Sequence, residues 1–166
     1  MNLTLVKQTS NHIDITMDKQ KKYERLYIQL KELVKKETDV IARMATINAV
    51  LYHKMDYFFW CGFYRLLNDE LIVGPYQGPI ACMKLAKNKG VCWAAINKQQ
   101  IIVVEDVRNF KDHIACDSRS LSEIVIPITN SSGTIEFVLD VDSKSLNSFD
   151  KNDAEGLKKI VSLLFT

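Results

Sequence analysis

Residues 123–129 and 134–141 are two β-rich apolar runs separated only by Asn130-Ser131-Ser132-Gly133. Four residues of that composition make a tight turn, so the runs fold back on each other as an antiparallel hairpin. Glu123 opens the first run, and Asp140 and Asp142 end the second in Leu139-Asp140-Val141-Asp142-Ser143. In an antiparallel pair the start of one strand meets the end of the other, which brings Glu123 beside the two aspartates. The period of two along a strand sends Asp140 and Asp142 to the same face, so three carboxylates converge. Such a cluster can hold an ammonium group, and crowding of like charges raises a carboxyl pKa until it can supply a proton. The alternative is three solvated acids at a strand end.

The rest of the chain supplies a second hairpin and helices to cover the sheet. Residues 58–67 are aromatic and apolar, Asn68-Asp69-Glu70 provides turn residues, and an extended pattern resumes over 71–76. Trp60 and Tyr64, four apart on that first strand, share a face and can wall a small apolar group, with ordinary core packing as the alternative for each. Residues 1–17 read as an N-terminal arm of uncertain order. From Asp18 a helix face carries Tyr23, Leu26, Tyr27, Leu30, Leu33 and Val34 and ends near Lys36, with the basic run at 19–22 read as a solvated face. Thr38 or Asp39 caps a second helix whose stripe is Val40, Met44, Ile47, Leu51 and Met55. After Gly78-Pro79 comes a loop with Cys82, then a short helix opened by Gly90-Val91-Cys92, a strand at 101–104, and a long polar connection over 105–122. Connections of that length inside a compact domain are commonly functional. Asp150 opens a last helix that buries Leu157, Ile160, Val161 and Leu164. This order gives an α+β fold, an antiparallel sheet flanked by helices, in one domain over residues 18–166.

The chain has 166 residues, enough to bury a core without cross-links. Its formal charge of +2 is too small to imply a nucleic acid or membrane surface as partner. The first residues lack the apolar centre of a secretory signal, and no run reaches the ~18 apolar residues of a membrane span. Four cysteines in such a chain are expected to be reduced in a cytoplasm, where disulfides are transient and catalytic. Cys61 lies inside the apolar run Phe58-Phe59-Trp60-Cys61-Gly62-Phe63 and reads as core. The intervals between cysteines hold twenty, nine and twenty-three residues, with no Cys-x-x-Cys pair, so no metal site is expected. Cys116 sits in the polar connection with His113 three residues before it. An imidazolium lowers a thiol pKa and the neighbouring Asp112 and Asp117 raise it, so these residues leave its activation open.

Seven blocks in order resemble the GAF-fold free methionine-(R)-sulfoxide reductase family: Trp60-Cys61-Gly62-Phe63-Tyr64, Gly74-Pro75-Tyr76-Gln77-Gly78, Ile80-Ala81-Cys82, Gly90-Val91-Cys92, His113-Ile114-Ala115-Cys116-Asp117, Ser122-Glu123-Ile124-Val125 and Leu139-Asp140-Val141-Asp142-Ser143. The resemblance implies a GAF-like domain that reduces free methionine sulfoxide. Cys116 then matches the attacking cysteine, Cys82 the one that resolves its sulfenic acid, and Cys92 an accessory third. Trp60 and Tyr64 match residues around the substrate methyl and side chain, and Glu123, Asp140 and Asp142 the polar binding residues. No cofactor is implied, and a thioredoxin-type protein would restore the thiols. Trp93 and Phe137 depart from the family pattern, which has Gly at both places, and Trp93 is expected to crowd the helix start beneath the pocket. The rival reading is a non-catalytic GAF module that binds or senses a small molecule, since a fold does not imply chemistry. A homodimer is compatible with both.

Overall fold

Asp39 caps the second helix with a side chain that accepts the Ala42 N–H at 2.8 Å, one of the two caps expected there. The computed structural model describes the backbone of residues 3–166 and the side chains from Asp18 onward. Helices α1 (Leu3–Val34) and α2 (Val40–Lys54) lead into strands β1 (Trp60–Leu67) and β2 (Glu70–Gln77). There follow β3 (Lys84–Leu85), α3 (Gly90–Lys98) and β4 (Ile102–Val104), then a connection with a single 3-10 turn at Val107–Asn109. Strands β5 (Ser122–Thr129) and β6 (Ile135–Ser143) and helix α4 (Lys151–Val161) complete the order, with a closing 3-10 turn at Ser162–Phe165. The helix expected from Asp18 starts at Leu3, so the arm expected over residues 1–17 is from Leu3 onward part of α1, and the side chains of residues 1–17 lie outside the described ones.

Both hairpins form as the turn residues dictate. Asn68 and Asp69 take left-handed φ values of 50° and 64°, which short polar side chains tolerate, and pair Leu67 with Glu70. In the second turn Asn130 Oδ1 accepts the N–H groups of Ser132 and Thr134, both at 3.0 Å. The hairpins join through β1 and β6 into one six-stranded antiparallel sheet of order β3-β2-β1-β6-β5-β4.

Alternation along the strands sorts the interior into two cores. Cys61, Phe63, Ile124, Ile126, Leu139 and Val141 face the helical layer of α1, α2 and α4. Trp60, Tyr64, Val125 and Val138 face the opposite way, toward α3 and its Val91, Cys92 and Trp93. The α2 stripe is buried as expected at Met44, Ile47 and Leu51 and at its cap Met55, and α4 buries Leu157, Ile160 and Val161, with Leu164 buried in the closing 3-10 turn.

Two side chains of α1 also depart from the expectation. Leu33 is 55% exposed, because Leu26, Leu30 and Val34 already fill the stripe that meets the core. Lys19 is no solvated lysine: its Nζ lies 2.6 Å from Asp153 Oδ2 and donates to Ser148 O at 2.9 Å. Asp153 is fully buried and also accepts from the hydroxyls of Tyr23 and Tyr57, so one carboxylate ties α1 to α4 and to the segment before β1. The same aspartate completes a capping box with Asp150 at the start of α4. Among the described residues no helix is long and apolar enough to cross a membrane.

Candidate active site

The strand register builds the floor of the site. Trp60, Asp142 and Glu123 stand side by side across β1, β6 and β5, and Gly62, Asp140 and Val125 form the next row on the same face. The convergence of three carboxylates expected from the second hairpin is therefore present, and the solvated alternative is not: Glu123 and Asp140 are 6% and 8% exposed. Helix α3 brings Cys92 onto them, and its Sγ lies within 4.8 Å of carboxylate oxygens of Glu123 and Asp140.

Burial governs the charge state of this cluster. It raises the pKa of Glu123 well above the usual carboxylate range, with Asp142 adding to the rise, and raises Asp140, with Glu123 and Asp142 adding. Asp142 is pushed up to about 6 by burial, against which the Ser120 hydroxyl and His113 pull. The Cys92 thiol is pushed up by burial and then by all three acids, so it stays protonated. The donor atoms of Cys92, Glu123 and Asp140 lie near enough to face one cation, and with no cation among them burial favours the protonated thiol and carboxyls. Asp140 Oδ1 is buried with no hydrogen-bond partner, and Asp140 lines the cleft. His113 Nε2 lies 3.5 Å from Glu123 Oε2, and burial lowers its pKa against the opposing pull of Asp142.

Aromatic rings make one wall. Trp60 stacks between Tyr64 and Tyr76 at centroid distances of 5.9 and 5.5 Å. Gly62 makes that stack feasible, since a Cβ there would stand 2.3 Å from the Trp60 ring and 2.5 Å from Tyr76 Cβ. The polar ends of the rings grip the loop after β2: Trp60 Nε1 donates to Pro79 O at 3.2 Å, and the Tyr64 hydroxyl donates to Cys82 O at 3.1 Å.

The opposite wall comes from the long connection before β5. Cys116 is joined to Cys82 in a disulfide. The Gly90 N–H donates to Asp112 O at 2.9 Å, which pins the connection to the start of α3. Beyond Cys116, Asp117 holds Arg119 through two side-chain bonds of 3.0 and 2.7 Å, and the guanidinium lies 4.9 Å from the centre of the Phe59 ring. Phe59 in turn donates its N–H to Asp142 O at 2.8 Å, so the cysteine-bearing connection is anchored to the strand ends that carry the acids.

Between these walls lies a cleft of about 590 Å³, counting the part open to solvent. Seven of the residues expected in the site line it: Trp60, Tyr64, Cys92, Cys116, Glu123, Asp140 and Asp142. Cys82 stands just outside the lining and enters through its bond to Cys116. Only the resemblance pointed to that pair of cysteines; their spacing does not. Cys61 is buried on the other face with its Sγ 3.4 Å from Asn48 Oδ1, in the core as expected.

Trp93, expected to crowd the helix start beneath the pocket, is buried in one cluster with Cys92 and Trp60. It packs with the α3-side core, Nε1 directed at Leu85 O at 3.5 Å, and does not line the cleft. Phe137 faces the helical layer, stacked on Phe165. In the sequence His113 is only a neighbour of the thiol, whereas in the fold its ring lies beside Glu123 and lines the cleft. Its place on the same short block as Cys116 was the available signal. Phe59 and Ser120 carried no signal, because their contacts depend on how the chain crosses over the strand ends.

No protein-family model matches the chain. GAF domain-containing protein A of Dictyostelium discoideum is 44% identical over 88% of this chain and 92% of that protein. Free methionine-R-sulfoxide reductase of Escherichia coli (strain K12) is 39% identical over 148 residues, 89% of each chain. Among solved structures, the free methionine-R-sulfoxide reductase of Neisseria meningitidis in complex with its substrate superposes with a TM-score of 0.81 at 42% identity, covering 86% of this chain and 85% of that one. The α+β sheet described above is thus a GAF domain.

Proposed function

The chain belongs to the free methionine-R-sulfoxide reductase family, and from that premise we propose that it reduces free methionine-(R)-sulfoxide to methionine with Cys116 as nucleophile and Cys82 as resolving thiol. One observation carries this reading: the register that sets Glu123, Asp140 and Asp142 on the floor of a cleft whose wall is the Cys82–Cys116 disulfide.

A sulfoxide needs a nucleophile at sulfur and a proton on oxygen, because oxide is a poor leaving group. In the reduced chain the Cys116 thiolate attacks the sulfoxide sulfur while a protonated carboxyl of the Glu123–Asp140 pair supplies the proton. Oxygen passes to Cys116, which becomes a sulfenic acid as methionine leaves. The Cys82 thiol then attacks that sulfenic sulfur, water departs, and the disulfide closes. Asp142, the least raised of the three acids, is ionised at neutral pH and takes the substrate ammonium. That demand for a free amino group makes a peptide-bound sulfoxide a poor substrate. Trp60 and Tyr64 hold the methyl end, and the buried Cys92 covers the acid pair, its hydrogen bond pulling the Asp140 pKa down against the larger rise from burial. A thioredoxin-type dithiol returns the two electrons, which suits a chain working in a reducing cytoplasm.

The test is substrate consumption without added reductant. Cys116→Ser is expected to consume none, and Cys82→Ser about one equivalent per chain before stalling with a sulfenic acid that a dimedone probe captures. Consumption of an equivalent of sulfoxide by Cys116→Ser, or steady turnover once dithiothreitol is added, would refute the assignment.

A further inference from the structure

The two most exposed large apolar side chains of the described residues are Ile80 at 85% and Met83 at 76%, and they flank Cys82 in one loop. Apolar side chains so exposed, on both sides of one half of a disulfide, are costly to leave in water; Ile80 also borders the cleft, and Met83 does not. Their loop is held from beneath by Tyr64 on Cys82 O and Trp60 on Pro79 O, and Val73 N–H donates to Met83 O at 3.0 Å, so the patch sits on a fixed backbone. The surroundings are basic: no acidic residue occurs from Gly78 to Val104. Lys84 and Lys87 pair with Glu70 and Asp69, while Lys89 makes no ion pair among the described residues.

We infer that the Ile80–Met83 patch is the docking surface for the protein that reduces the disulfide, a dithiol protein whose reactive thiol is ringed by apolar residues with acidic groups at the rim. The inference rests on the reading that Cys82–Cys116 is the oxidised product of turnover. The chain's two remaining thiols, Cys61 and Cys92, are buried, so the electrons come from outside. Breaking an S–S bond by exchange requires the incoming sulfur to touch one of the two sulfurs, and a partner seated on Ile80 and Met83 meets Cys82. Its thiolate attacks Cys82 Sγ, the bond to Cys116 breaks, and Cys116 leaves with the electron pair and takes a proton. The partner's second thiol then attacks the partner's sulfur in the mixed disulfide. Cys82 is released as a thiol and the partner departs as a disulfide, two electrons and two protons having passed into the chain. Attack at Cys82 also frees the nucleophile directly, on the side where the acids wait.

The experiment uses the full chain oxidised with diamide, so that it does not depend on sulfoxide chemistry, and follows recovery of thiols with thioredoxin or with dithiothreitol. Met83 does not line the cleft. Met83→Glu, which removes the apolar contact and sets a negative charge against the acidic rim, is expected to lower the second-order rate with thioredoxin about tenfold. Met83→Leu is expected to keep it, and the dithiothreitol rate stays the same in all three proteins. Equal thioredoxin rates for Met83→Glu and the parent overturn the inference. A thioredoxin with its second thiol replaced by serine is expected to be trapped on Cys82, and trapping on Cys116 likewise overturns it. The proposed function fails on a different measurement, absence of single-turnover sulfoxide consumption by the reduced chain.

Discussion

Asp142 shows how one residue sets opposing demands on stability and binding. Its pKa is raised from an ordinary 3.8 to about 6, chiefly by burial, so the folded chain binds a proton more tightly there than the unfolded chain does. A raised carboxyl contributes stability that is present below its ordinary value and lost as pH climbs through the folded one. The parent is therefore expected to lose thermal stability between about pH 4 and pH 6, and Asp142→Asn to be more stable than the parent above pH 6, by on the order of 1–3 kcal/mol, with no advantage at pH 4. Binding runs the other way: the KM for free methionine sulfoxide rises as pH drops below about 6 and the anion is lost. Melting curves and initial rates over pH 4–8 check both, and a parent that gains stability from pH 4 to 6 would contradict this account. Tyr64 is a second residue with a divided role, because its hydroxyl holds Cys82 O while its ring stacks on Trp60. Removing that hydroxyl in Tyr64→Phe is expected to slow disulfide closure by about fivefold, the worth of one hydrogen bond, and more than it slows the first oxygen transfer. Rapid-quench thiol counts separate the two steps.

At the level of elements, β1 can carry its aromatic wall only because one position has no side chain. Gly62→Ala would put a methyl 2.3 Å from the Trp60 ring, with the strand backbone unable to retreat between β2 and β6. The ring must leave its stack, and the variant is expected to lose about 1–3 kcal/mol and to show raised KM with altered tryptophan emission. Urea melts and a fluorescence spectrum decide it; an unshifted spectrum at full stability would contradict the packing argument. The elements also show where sequence reasoning reached and where it stopped. Hairpins were legible because short polar turns fix register, and register alone delivered Glu123 opposite Asp142. The connection over 105–122 was not, since its course depends on tertiary anchors such as Gly90 N–H on Asp112 O and Arg119 on Phe59, which leave no period in the sequence. For the same reason the residues by themselves left Cys116 undecided, and the disulfide partner came from resemblance alone. Leu33 fits the helical stripe by spacing yet lies outside it, because periodicity marks a face and not its width.

Across the whole molecule the sheet divides labour: one face meets α1, α2 and α4 and holds the protein together, the other meets α3 and holds the site. Asp153 is the polar centre of the first face, fully buried among Lys19, Tyr23 and Tyr57. Next to it Gly156 lets α4 close on α1, since a Cβ there would stand 2.2 Å from the Tyr23 ring. Asp153→Ala takes the shared acceptor from Tyr23 and Tyr57, Lys19 keeping Ser148 O and Asp150, and is expected to cost about 2–4 kcal/mol while the KM of the folded fraction stays at the parent value. Denaturant titration and initial rates measure the two halves of that expectation, and a KM that rises with the lost stability would show that the faces are not independent. The division bears on sulfur as well. Cys61 is the immediate neighbour of Trp60, yet odd and even positions of a strand never look the same way, so simple parity insulates this thiol from every oxidising event in the cleft. A chain that cycles through sulfenic acid and disulfide can thereby keep a fourth cysteine close by without ever entering a wrong cross-link.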